Sequence, residues 1–156
     1  MIIRKAGKTD IDSLLELNRQ IGEYHHANAP NIFVGPNEAE RAFLLQALSD
    51  LERFFLVATL DDKVVGFLTA TINKNEIIPF IAKDPICRVG TIVIDQNHRS
   101  SGIGQALMKA CKEWAKTSGA VEIRLEVMEF NAKAQDFYYK LGFNTQSRIM
   151  SHSLGD

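Results

Sequence analysis

The sequence predicts one mixed α/β domain over residues 1–156, and three observations carry that prediction. Between residues 53 and 72, two β-rich runs flank Asp61-Asp62-Lys63, the pattern of a hairpin. The run Ile92-Val93-Ile94 is apolar without alternation, which places its strand centrally in a sheet covered on both faces. From Ser101 to Lys116 the apolar residues Ile103, Ala106, Leu107, Ala110, Cys111 and Trp114 recur at steps of three and one, an amphipathic helix.

The remaining elements follow in chain order. Residues 2–5 read as a first strand. Thr9 caps a helix whose apolar stripe is Ile11, Leu14, Leu15 and Ile21. Residues 23–30 read as irregular, with Pro30, Gly35 and Pro36 marking a loop. A second helix is expected over residues 38–48, with Phe43, Leu44, Ala47 and Leu48 inward. Strands at 53–60 and 64–72 form the hairpin, a looser segment covers 73–85, and a strand runs from 86 to 94. After the helix at 101–116, Val121, Ile123, Leu125 and Val127 alternate with Glu122, Arg124 and Glu126 as a strand. Asn131 opens a helix carrying Ala134, Phe137, Tyr138 and Leu141, which Gly142 stops. A last strand or hairpin is expected from Phe143 onward, giving the order β-α-α-β-β-β-α-β-α-β.

Composition narrows the function classes. Hydrophobic residues make up 46% and charged residues 24%, near the averages of globular proteins, which argues against disorder and fibrous repeats. Lys and Arg number 18 against 19 Asp and Glu, a net charge of −1 that argues against nucleic-acid binding by bulk electrostatics. Two cysteines, Cys87 and Cys111, are too few for a disulfide framework and fit no zinc spacing. They read as reduced core thiols. No apolar run has the length of a membrane span, and the N-terminal residues lack the apolar core of a signal peptide. The expectation is a cytoplasmic protein with no membrane or nucleic-acid partner and no metal.

The segment most informative about chemistry is Asp95-Gln96-Asn97-His98-Arg99-Ser100-Ser101-Gly102-Ile103-Gly104-Gln105. An apolar strand ends, a polar loop follows, and two glycines open a helix. The first turn of a helix presents N–H groups with no intrahelical partner, and the macrodipole adds positive potential there. Glycines allow a phosphate to approach the backbone, Arg99 adds charge, and Ser100 and Ser101 offer hydroxyls. The sequence has no Gly-x-x-x-x-Gly-Lys-Ser/Thr, and the dinucleotide fingerprint fails at Leu107. The glycines are equally compatible with a helix start that needed them for packing.

The loop Arg99-Ser100-Ser101-Gly102-Ile103-Gly104 resembles the acetyl-CoA signature Gln/Arg-x-x-Gly-x-Gly/Ala of the GCN5-related N-acetyltransferases, the GNAT family. A second stretch, from Asn131 through Ala134 and Tyr138 to Gly142-Phe143, is similar to that family's Asn-x-x-Ala-x-x-x-Tyr-x-x-x-Gly-Phe segment. The motif matches lie within residues 86–143, and the first half agrees only in element order. The resemblance implies a mixed, mostly antiparallel sheet flanked by helices and splayed between the strands at 86–94 and 120–127, with acetyl-CoA in the wedge.

It also implies roles. Backbone groups along Ile92, Val93 and Ile94 would hold the pantetheine arm, those of Ile92 and Ile94 orienting the acetyl carbonyl. The N–H groups from Ser100 through Ser101, Gly102, Ile103 and Gly104 to Gln105, with Arg99, would bind the pyrophosphate. Asn131 would contact the cofactor, although an N-cap alone also explains it. Tyr138 would be the general acid that protonates the departing thiolate, and Tyr139 would be structural. Glu126, or water, would take the proton of the attacking amine; Glu126 could equally belong to a solvated strand face with Glu122 and Arg124.

The implied activity is direct transfer of an acetyl group from acetyl-CoA to a primary amine on a small molecule or a protein. The alternative is a non-catalytic acetyl-CoA-binding or sensing module on the same fold. Glu23, Tyr24, His25 and His26 lie where the family borders its acceptor site, yet adjacent histidines without a third ligand read as surface residues. An acyl-cysteine route is rejected, because Cys111 lies on the buried helix face and neither thiol has a nearby base in sequence. A homodimer is common in the resembling family.

Overall fold

The hairpin is where the local sequence dictates structure most directly. Strands β2 (Phe54–Leu60) and β3 (Lys63–Asn73) pair antiparallel up to Leu60 opposite Lys63, leaving a two-residue loop. Asp61 and Asp62 sit in it at φ 47° and 63°. Two left-handed residues match the right-handed twist of the strands, and Asp tolerates that conformation better than most side chains. The computed structural model describes residues 1–155 and divides into two compact units, from Met1 to Glu126 and from Val127 onward.

In the first unit, β1 (Ile2–Lys5), β2, β3, β4 (Ile86–Ile94) and β5 (Glu122–Leu125) lie in that order, antiparallel except for the parallel β4–β5 pair. A mixed, mostly antiparallel sheet is thus present, and β4 is an interior strand as its apolar run predicted. Helices α1 (Ile11–Asn28) and α2 (Ala39–Ser49) bury Leu14, Leu17, Leu44 and Ala47 against Phe55, Val57, Phe67 and Val93. Strand neighbours point to opposite faces. Phe54 accordingly stacks on Trp114 of α3 (Ile103–Thr117) across the other face, ring centroids 4.3 Å apart. Cys87 of β4 meets Cys111 of α3 there, Sγ to Sγ 3.8 Å, both free and fully buried.

The second unit holds α4 (Ala132–Lys140), and its sequence explains both ends. Asn131 Oδ1 accepts from the Ala134 N–H at 3.2 Å, an N-cap. At the other end Gly142 adopts φ 93°, its N–H donates to Tyr139 O, and the Phe143 N–H donates to Tyr138 O. That bond pair is a Schellman motif, and its usual apolar contact is present as Tyr138 against Phe143, centroids 5.7 Å apart.

Several expectations are corrected. Residues 23–28 are not irregular: α1 continues through them and stops at Asn28, because Glu-Tyr-His-His-Ala-Asn contains no breaker and the chain is first restricted before Pro30. Thr9 does not cap α1. It sits in a 3-10 turn, Lys8–Asp10, and the helix begins at Ile11. Phe43 is not inward but 66% exposed, one position off the Leu44–Ala47 face. The last strand is absent: among the described residues 143–155 no strand or helix forms. The stretch Asn144-Thr145-Gln146-Ser147 is polar throughout, and Ile149 and Met150 are adjacent rather than alternating, so no single apolar face exists to bury. Strand β5 therefore forms the edge of the sheet and is shorter than the expected 120–127.

Candidate active site

Among the described residues, the end of β4 has no strand neighbour on the β5 side. Strand β5 pairs only with Ile86–Val89, and β4 runs on for five further residues to Ile94. The parting coincides with an irregularity in the β3–β4 ladder: Thr69 faces Thr91 and Ala70 faces Val89, so Gly90 is the extra residue of a bulge. A bulge bends its strand and increases local twist. A Cβ at Gly90 would lie 3.2 Å from Thr69 Oγ1, a tight contact that a side chain there would relieve only by shifting Thr69.

Beyond the bulge, the Asp95 N–H donates to Val65 O at 2.8 Å. Alternation along an antiparallel pair then directs the backbone groups of Val93 toward β3 and those of Ile92 and Ile94 away from it, toward the side β5 has left. Val93 is buried; Ile92 and Ile94 are half-buried. Ile92 and Ile94, whose backbone groups the family resemblance implies as ligands, thus have N–H and C=O groups with no strand partner on that side among the described residues.

The loop from Gln96 to Gly102 connects this strand end to α3. Ser100 (φ 61°) and Gly102 (φ 84°) are left-handed on either side of Ser101, and such changes of hand turn successive N–H groups toward a common point. Gly102 is the N-cap of α3, and a Cβ there would meet nothing within 4 Å, so glycine answers to φ and not to crowding. The first intrahelical bond is Ala106 N–H to Gly102 O at 3.0 Å, which leaves the N–H groups of Ile103, Gly104 and Gln105 without a helical acceptor. No carboxylate occupies that first turn. Arg99, Ser100, Ser101 and Gln105 are exposed, and Ile103 and Gly104 are buried. The arrangement is suited to an anion.

A buried network that the sequence reading missed holds the base of this loop. Gln20, 8% exposed on α1, donates from Nε2 to Asp95 Oδ1 at 2.9 Å and accepts the Gln96 N–H on Oε1 at 3.0 Å. Asp95 Oδ2 lies 2.6 Å from His98 Nδ1 and accepts the Asn97 N–H at 3.3 Å. Ser101 Oγ donates to His98 O. The Gln20 amide foremost, then His98 and the Asn97 N–H, hold the Asp95 carboxyl below its ordinary value against the opposing effect of burial. The available signal was Gln20 itself, a polar residue three positions after Leu17 on a buried stripe.

The other predicted residues are placed as follows. Glu126 lies one residue past the end of β5 and is exposed; Glu122 and Arg124 before it form an ion pair at 2.7 Å. In the second unit, Asn131 has the N-cap bond, and Tyr138 is half-buried between Phe137 and Phe143. Burial pushes the Tyr138 phenol up to about 12, so its O–H is retained at neutral pH. Tyr139, half-exposed, meets Thr145 Oγ1 at 2.8 Å, a local tie. On the last turns of α1, His25 Nδ1 lies 2.8 Å from Ile21 O and its ring packs on Phe33, while His26 Nδ1 lies 2.7 Å from Phe33 O. Among the described residues no group of three or more His, Cys, Asp or Glu is placed to hold a metal, and no helix is long and apolar enough to cross a membrane.

Residues 19–143 match the family model described as the acetyltransferase (GNAT) family, which spans well over half of the sequence. The chain belongs to that family. Among curated proteins it is 38% identical over 56 residues to the uncharacterized N-acetyltransferase YobR of Bacillus subtilis, covering 36% of this chain and 23% of YobR. It is 36% identical over 52 residues to streptothricin acetyltransferase of Escherichia coli, covering 33% of this chain and 30% of that protein. The matched segments thus span less than a third of either relative. Among solved structures, the fold is similar to a tetramutant of the BH1408 protein of Bacillus halodurans, with TM-score 0.93 and 24% identity over 99% of this chain and 100% of that one. It is also similar to the aminoglycoside N-acetyltransferase AAC(6')-Iy in complex with CoA, with TM-score 0.77 and 21% identity over 97% and 93% of the two chains.

Proposed function

We propose that this protein is an acetyl-CoA-dependent N-acetyltransferase that moves the acetyl group directly to a primary amine. The observation that carries the reading is the β4–α3 turn, where an unpaired strand end leads into a carboxylate-free helix start with left-handed Ser100 and Gly102. These features suit the two halves of acyl-CoA. The amide-bearing pantetheine arm hydrogen-bonds as a strand would, to Ile92 and Ile94. The pyrophosphate takes the N–H groups from Ser100 to Gln105, with Arg99 as counter-charge. Family membership supports the same assignment.

In the reaction, the strand end orients the thioester carbonyl, and the amine arrives deprotonated by water or by Glu126. Its nitrogen forms the new C–N bond as the C–S bond breaks, and Tyr138 donates its proton to the departing thiolate. A phenol pushed up to about 12 is a reliable donor but a weak acid. It therefore begins as a hydrogen-bond donor to the developing charge. Holding both reactants together contributes much of the rate. The acceptor is a small-molecule or protein amine; relatives named for streptothricin and aminoglycosides make amine-rich small molecules the first class to screen.

The deciding experiment is calorimetric titration with acetyl-CoA, with ATP and NAD as controls, followed by an amine screen for CoA release. Saturable binding of acetyl-CoA alone, then turnover with an amine, is the expected result. Binding without turnover across the screen would favour a sensing module instead. No binding would overturn the reading.

A further inference from the structure

The Gln20–Asp95 network is a long-range tie, between residues 75 positions apart, in a place where the rest of the helix face is apolar. Gln20 Nε2 also reaches Glu16 Oε1 one turn back on α1, at 3.2 Å, and the other bonds of the network end on the loop or on Asp95, the residue before it. Gln20 satisfies the Asp95 carboxylate with its donor and the Gln96 N–H with its acceptor. Asp95 in turn holds the Asn97 N–H and His98, and Ser101 Oγ reaches His98 O. The loop is thereby fixed from two sides: by β3 through Val65 O, and by α1 through Gln20. An apolar residue would extend the Leu14–Leu17 face without desolvating an amide, so core packing alone does not call for glutamine here.

We infer that Gln20 and Asp95 are a positioning pair that preorganises the loop from Gln96 to Gly102 for the pyrophosphate of acyl-CoA. The inference rests on the acyl-CoA reading of that loop. Gln20 touches no reacting atom. Its effect is on the ordering cost of binding, since a loop already held in place loses less freedom when an anion seats in it.

The test reads acetyl-CoA affinity by calorimetry and backbone hydrogen exchange across residues 95–102 in the ligand-free protein. Gln20→Leu keeps size and apolar packing while removing both bonds to the loop end, along with the one to Glu16; it should weaken acetyl-CoA binding about tenfold. Exchange in the loop should rise while exchange in the middle of α3 stays unchanged. Gln20→Glu, made in a Glu16→Gln background because Glu16 Oε1 lies 3.2 Å from Gln20 Nε2, sets the carboxylates at positions 20 and 95 against each other and should weaken binding at least as much. Adding Asp95→Asn to Gln20→Glu restores a donor–acceptor pair with its polarity reversed. The introduced amide at position 95 donates to the introduced carboxylate at position 20, which still accepts the Gln96 N–H. The double variant should recover most of the lost affinity, a rescue that general destabilisation does not produce. Wild-type protein that fails to bind acetyl-CoA would overturn the acyl-CoA reading itself. Wild-type protein that binds while both single variants bind equally well, or single variants that weaken without rescue by the double, would overturn the positioning role alone.

Discussion

Tyr138 is the residue on which the chemical proposal is most exposed to test. Its position at the third residue before the α4 C-cap gives it a structural duty, the Schellman contact with Phe143, as well as the proposed proton. Tyr138→Phe keeps the ring and the contact and deletes only the O–H. Turnover should fall by roughly 10²-fold or more with acetyl-CoA affinity nearly unchanged. Normal turnover would leave the residue with its packing contact alone. Because the folded phenol is held up at about 12, its proton stays bound through the range where a free tyrosine ionises near 10. The pH–rate profile should therefore show no alkaline fall from this group below about pH 11. Gly104 offers the complementary residue-scale test on the cofactor side. It is buried in the first turn of α3, and Gly104→Val should sharply weaken acetyl-CoA binding in a folded protein. Unchanged calorimetric affinity would remove the loop from the site.

Helix α3 separates the stability role of glycine from its binding role. Gly102 precedes the helix and Gly119 follows it, both at φ 84°, and a Cβ at either would meet nothing within 4 Å. Gly102→Ala and Gly119→Ala should then cost the same, about 1–2 kcal/mol each, because only the left-handed backbone is strained. Only Gly102→Ala should also weaken acetyl-CoA binding; denaturant unfolding and calorimetry on the matched pair would read the two effects separately. At this scale much was legible in the sequence. Strand β4 and the hairpin follow their apolar and turn patterns, and α4 has the caps that Asn131 and Gly142 announce. What was not legible depends on neighbours distant in sequence. The bulge at Gly90 exists only against Thr69, and the Gln20–Asp95 tie only because α1 packs beside the end of β4. The end of α1 is not marked locally, because residues 23–28 have no strong preference of their own and an established helix propagates until something stops it. Phe43 shares helical spacing with the inward Ala47, yet it stands exposed, because only the packing of α2 on its neighbours decides where the edge of the buried face falls.

Across the molecule, a net charge of −1 leaves little global repulsion, so the response to acid is set by particular carboxyls. Asp10, 6% exposed, accepts two Arg4 bonds at 2.9 Å and the Gly7 N–H at 2.8 Å. Arg4 foremost, and the Gly7 N–H after it, hold its carboxyl below the ordinary value despite burial. Arg19, then Gln20, hold Glu16 down to about 2, and Asp95 is lowered as described. Each folded-state value lies below its unfolded one, so the unfolded chain takes up protons first as pH falls. The associated stability is complete above about pH 4–5, where the unfolded carboxyls are ionised, and is lost as pH drops through the folded values. Unfolding free energy measured in denaturant should accordingly be flat in this respect through neutrality and fall below about pH 4. Asp10→Asn removes the charge while keeping the shape, and should cost about 1–3 kcal/mol at pH 7 through weakened charged hydrogen bonds. The cost should shrink on acidification, because protonation imposes the same loss on the wild type, and the two curves should converge as pH falls through the lowered folded value of Asp10. Curves that stay parallel down to the acid unfolding of both proteins would show that Arg4 and Asp10 hold the start of α1 by shape and not by charge.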